Sequence, residues 1–80
     1  MPPSESFGTV VAIVARVLGV SSEAASTARR GEHEEWDSLK HIEIVFQVEE
    51  EFDLQFAEDD IADLTDVETI VAAVERVRGS

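Results

Sequence analysis

Apolar residues recur at helical spacing in three separated segments of this chain, and that period limits it to a helical fold. From about Glu5 to Leu18, the residues Phe7, Val10, Val11, Val14, Val17 and Leu18 fall along one face. Gly19 supplies the stop, and Val20 is placed to fold back as the hydrophobic contact of a C-terminal capping motif. Either Ser4 or Ser6 is placed to cap the start, and Gly8 weakens the helix a little. The second segment runs from Ser38 to about Phe52, where Leu39, Ile42, Ile44, Val45, Phe46, Val48 and Phe52 cover more than a narrow stripe, as a central helix requires. After Asp53, the apolar residues Leu54, Phe56, Ile61 and Leu64 suit a turn followed by a short helix from about Glu58 to Asp63. Thr65-Asp66-Val67-Glu68 then forms a capping-box pattern for a last helix whose buried face is Val67, Ile70, Val71, Val74 and Val77. Arg76, Arg78 and Gly79 mark its end, with cations opposing the negative end of the helix dipole.

Between the first two helices, from Val20 to Trp36, the only large apolar residues are the ends. The stretch reads as a long loop, in which Ser22 starts at most a single turn through Ala25. Loops of this length in compact domains are usually functional or disordered. Trp36 is read as the anchor that ties the end of the loop to the core.

All of this must be held by one small domain, since 80 residues lie near the lower limit for a single core. The chain has no cysteine, so it has neither a disulfide framework nor a thiol of its own. Val10 to Ala15, the longest apolar run, is too short to span a bilayer, and the opening Met-Pro-Pro-Ser-Glu lacks the basic start of a signal peptide. A cytoplasmic location is the expectation. The formal net charge is −12, and from His41 to Glu75 there are twelve acids without one Lys or Arg. Such a field repels nucleic acid and anionic membranes while attracting proteins with basic patches.

Asp37-Ser38-Leu39 is the most informative local feature. Asp37 is placed to cap the second helix, leaving the Ser38 hydroxyl in the first turn beside amides that have no intrahelical acceptor. A phosphodiester there would meet free donors and the positive end of the helix dipole. On the same helix, Leu39, Glu43, Phe46 and Glu50 lie at spacings of four, three and four, flanked by Lys40 and Gln47. Two apolar groups among acids suggest a docking surface, the alternative being a solvated face with incidental exposure.

Other groups offer less. His33 and His41 match no metal motif or triad, and by spacing His41 points toward the apolar side as a packed or hydrogen-bonded core residue. Asp59, Asp60 and Asp63 lack the ordered ligand spacing and turn glycine of a calcium loop. The adjacent pairs Glu34-Glu35 and Glu50-Glu51 present no facing carboxylates, and Ser38 has no neighbouring base that would make it a nucleophile. No catalytic or metal site is expected, and the chain is not read as an enzyme.

A chemically inert serine presented at a helix start makes sense if another enzyme modifies it, and here the chain resembles the acyl carrier proteins. The resemblance runs from about Phe7 to Val77. It comprises a valine-rich first helix ending Leu18-Gly19-Val20, a long loop, Trp36-Asp37-Ser38-Leu39, Glu49-Glu50-Glu51-Phe52, a short acidic helix and a capped terminal helix. It implies a monomeric four-helix bundle with three longer helices and one short one. It also implies 4′-phosphopantetheine on Ser38, transferred from coenzyme A by a magnesium-dependent phosphopantetheinyl transferase. Asp37 and Leu39 would flank the attachment, and acyl intermediates would travel as thioesters. Lys40, Glu43, Phe46, Glu49, Glu50 and Ile61 would meet the basic patches of acyl-loading, condensing and modifying enzymes of fatty-acid or polyketide-type biosynthesis.

Three departures from the family pattern stand out. Lys40 replaces an acid common in fatty-acid-synthesis members, Trp36 replaces a small residue, and the loop lacks larger apolar residues. Together they suggest a discrete carrier of a specialised pathway. A peptidyl carrier would share the fold and Ser38, although the Gly-Gly-His-Ser type of motif is absent; an unmodified acidic helical interaction domain would keep the surface without the arm.

Overall fold

The structure is a computed structural model describing residues 4–32 and 34–79. His33 and the opening Met1-Pro2-Pro3 lie outside the described residues. Among those described there are five helices and no sheet: α1 (Ser4–Leu18), α2 (Ser22–Thr27), α3 (Ser38–Phe52), α4 (Glu58–Asp63) and α5 (Val67–Gly79). No helix of the described residues is long and apolar enough to cross a membrane.

The four-helix expectation is therefore corrected to five, because the segment read as loop contains α2. The Ser21 hydroxyl caps it by accepting the Ala24 N–H at 3.1 Å, and small buried residues, Ala25 and Ala28, seat it against the core. Alanine packs closely without forming a conspicuous apolar stripe, so six residues of helix leave little periodic signal. The rest of the segment is tied to the start of α5: Arg29 and Asp66 form an isolated bridge and an ion pair at 3.7 Å, and the Arg30 N–H donates to the Thr65 carbonyl at 2.8 Å.

α1 packs against α5, α2 and α3, burying Val10, Val11, Ile13 and Val14, while Phe7 sits at the rim, partly exposed. Of the two serines proposed as its cap, the Ser4 side chain lies outside what is described, and Ser6 does not have that role: it is a buried interior residue whose hydroxyl donates to the Glu75 carboxylate of α5 at 2.7 Å. The stop at Gly19 is as the sequence indicates: its φ is +71°, and the Val20 N–H reaches back to the Ala15 carbonyl at 3.0 Å in a six-to-one bond.

α3 contributes Ile44, Val45 and Val48 to the core and turns out of its helix through Asp53, which holds the left-handed conformation at φ 54°. Aspartate tolerates that region better than most residues. The exit is fastened by Glu49, whose backbone carbonyl accepts the Leu54 N–H at 3.0 Å and whose carboxylate accepts the Phe56 N–H at 2.8 Å. α5 starts with a capping box shifted by one residue from the expected frame. Asp66 accepts the Thr69 N–H at 2.9 Å, and the Thr69 hydroxyl accepts the Asp66 N–H at 3.0 Å, so Thr69 takes the part assigned to Glu68. Ala73 joins Val67, Ile70 and Val74 in its buried face, whereas Val77 is exposed.

Candidate functional site

Asp37 is the N-cap of α3, in extended conformation, and its carboxylate accepts the Lys40 N–H at 2.9 Å. The His41 N–H makes the first intrahelical bond, to the Asp37 carbonyl at 2.9 Å. That leaves the amides of Ser38 and Leu39 with no carbonyl within the helix to reach, beside the exposed Ser38 side chain. Hydroxyl, free donors and the positive helix end are thus assembled within one turn.

Ser38 also lines a groove of about 640 Å³ between α3 and α4. Ile42, Val45 and Phe46 form its apolar wall on α3, Ile61 and Ala62 that on α4, and Arg30 borders it from the preceding segment. The back of the groove is set by a buried pair. Trp36, 1% exposed, donates its indole N–H to His41 Nδ1 at 2.9 Å, and His41 Nε2 lies 3.1 Å from the Ile61 carbonyl. An indole N–H can only donate, so Nδ1 must be the acceptor and Nε2 carries the proton that goes to Ile61. Neutral His41 therefore joins the end of the long segment, α3 and α4 at one point. Trp36 is the core anchor and His41 the packed, hydrogen-bonded residue that their positions indicate.

Burial pushes the His41 imidazole below its ordinary range; the bond to the Ile61 carbonyl opposes this, and the nearby Arg30 charge adds to it. A folded value below the unfolded value of about 6.5 means that the unfolded chain binds more protons as pH falls through that window. The stabilisation is present in full above the unfolded value and is lost as pH drops below it toward the folded one. Arg30, Glu58 and Asp59 share the groove with the imidazole. Urea denaturation should show stability falling between pH 7.5 and 5.5, and His41→Gln, which keeps an acceptor and a donor without titrating, should flatten that dependence. An equal slope in both proteins would assign the effect to other groups.

The outer face of α3 is exposed as its mixed pattern predicts: Leu39 is 68% exposed and Phe46 65%, with Glu43 and Glu50 beside them. Ile42, 48% exposed, belongs to the same surface and was not singled out by spacing. Lys40 lies 3.7 Å from Glu43, so the lysine partly masks the acid it neighbours. Glu49 is partly buried and spends one carboxylate oxygen on the Phe56 N–H. Ile61 is half-buried on the groove side of α4. Asp60, one of the three acids considered for calcium, is paired with Arg76 at 3.2 Å, and no cluster of three metal-ligating side chains occurs among the described residues.

The family model for the phosphopantetheine attachment site matches residues 8–74. The chain belongs to that family: it is a phosphopantetheine-binding carrier domain, a non-catalytic module to which the prosthetic group is covalently attached. The exposed hydroxyl beside free amides at a capped helix start, and the adjoining groove, fit that group.

Proposed function

We propose that Ser38 is the attachment point and that the chain is an acyl carrier protein, delivering acyl groups to partner enzymes as thioesters on the arm. The observation carrying this reading is the exposed Ser38 at the start of a helix capped by Asp37, within the segment matched by the family and at the mouth of an apolar groove. When bound, phosphopantetheine supplies the thiol. The protein's own contribution is to hold the phosphodiester with the Ser38 and Leu39 amides and to keep the attachment exposed. Tethering raises the effective concentration of the acyl group at each docked enzyme.

The carrier's partners are a phosphopantetheinyl transferase and basic-patched enzymes that load, condense or modify acyl groups. Lys40 beside Glu43 supports a specialised pathway such as polyketide assembly over housekeeping fatty-acid synthesis. Because the chain has no cysteine, thiol titration tests carriage directly. The unmodified chain should give no thiol, the chain treated with coenzyme A and a broad-specificity transferase one per molecule, and the acyl-loaded chain none. Absence of a thiol after treatment would favour an unmodified interaction domain.

Docking should follow the exposed face of α3. Rim charges act mainly on association rate and its salt dependence, whereas apolar contacts at the centre of an interface govern dissociation. Glu43→Lys or Glu50→Lys should slow association with the transferase, and Phe46→Ala should mainly speed dissociation. Stopped-flow or surface kinetics at two salt concentrations would measure this; unchanged rates for all three would move the surface elsewhere.

A further inference from the structure

The chain has six Lys and Arg against eighteen acids, so any cation left without a partner is conspicuous. Arg29 pairs with Asp66, Lys40 with Glu43 and Arg76 with Asp60. Arg16 donates to the Gln47 side chain, and Arg78 lies over the Phe52 ring. Among the described residues, Arg30 is the exception: its guanidinium has neither an ion pair, a side-chain hydrogen bond nor a ring contact, although Glu58 and Asp59 border the same groove.

Arg30 is nevertheless not a solvated surface arginine. It is partly buried, its backbone is fixed to Thr65, and it lines the groove that Ser38 also lines. Its charge is felt at His41, which is one helical turn from Ser38. A guanidinium with no partner at the edge of a groove calls for an anion, and its planar donors match phosphate oxygens well.

We infer that Arg30 binds the phosphodiester formed on Ser38, its guanidinium donating to the non-bridging oxygens. The inference rests on the reading of Ser38 as the attachment point. It gives the segment before Trp36 a role in holding the arm, and it couples modification to the order of that segment.

The test compares the unmodified and phosphopantetheinylated protein, with modification of Ser38 established first by peptide mass mapping. The Arg30 Nε–H resonance should shift on modification while those of Arg16 and Arg78 stay in place. The rise in melting temperature on modification should be lost in Arg30→Gln and partly retained in Arg30→Lys. If Ser38 is unmodified, the underlying reading fails. If Ser38 is modified but the Arg30 resonance and the temperature difference do not respond, the Arg30 assignment alone is wrong. Loading with acetyl and malonyl groups separates two anion sources: a resonance that moves only with malonyl would assign Arg30 to a cargo carboxylate and overturn the phosphodiester contact.

Discussion

Trp36→Ala should cost about 3–5 kcal/mol of stability, the range for removing a large buried aromatic side chain. The residue is almost wholly buried, and its loss would leave both a cavity and a His41 Nδ1 acceptor deprived of its donor. Domains are commonly stable by only about 5–15 kcal/mol, and a small one stands toward the lower end, so the variant should be close to unfolding at room temperature. Trp36→Phe separates the two contributions. It retains most of the ring volume and should cost about 1–3 kcal/mol, chiefly from the unsatisfied buried nitrogen. Urea denaturation followed by circular dichroism measures both without relying on tryptophan fluorescence. A loss below about 1 kcal/mol for Trp36→Ala would mean that the site relaxes around the deletion and that Trp36 is not the anchor.

The effect should reach the functional site through the chain itself. Trp36 immediately precedes Asp37, whose carboxylate caps α3, and its partner His41 is bonded to α4. Loosening Trp36 therefore disturbs both the helix start that presents Ser38 and the α4 wall of the groove. Trp36→Phe, which should remain folded, is expected to be modified at a rate near that of the parent.

Much of this arrangement was legible in the sequence. The bounds of α3 and α4 follow from the Asp37 cap, the apolar spacing and the acidic turn before Ile61. Burial of Trp36 and His41 followed from one being the large apolar end of a polar stretch and the other facing the apolar side of a helix. Their mutual hydrogen bond was hidden because it depends on how the preceding turn folds back. α2 was missed because Ala25 and Ala28 pack by being small, which leaves no periodic stripe.

Other features arise only when distant segments meet. Ser6 looked like a cap because serine favours helix starts, but 69 positions separate it from the Glu75 that engages it. Arg30 was one of two adjacent arginines in a cation-poor chain. Only the fold distinguishes Arg29, paired with Asp66, from Arg30, turned to the groove beside Ser38. The family resemblance places Glu49 on the docking face, but its carboxylate also fastens the chain leaving α3, a contact set by the left-handed turn at Asp53.

The central claim is that one serine, held at the start of a capped helix, receives the arm. Its hydroxyl can be removed at little structural cost, because Ser38 is exposed and the cap is made by Asp37. The most direct measurement is the intact mass of the parent and of Ser38→Ala after incubation with coenzyme A, magnesium and a broad-specificity phosphopantetheinyl transferase, with the fold of both checked by circular dichroism. The account predicts a gain of one phosphopantetheine on the parent and none on the folded variant. A folded Ser38→Ala that still gains that mass, or a folded parent that does not, would contradict it.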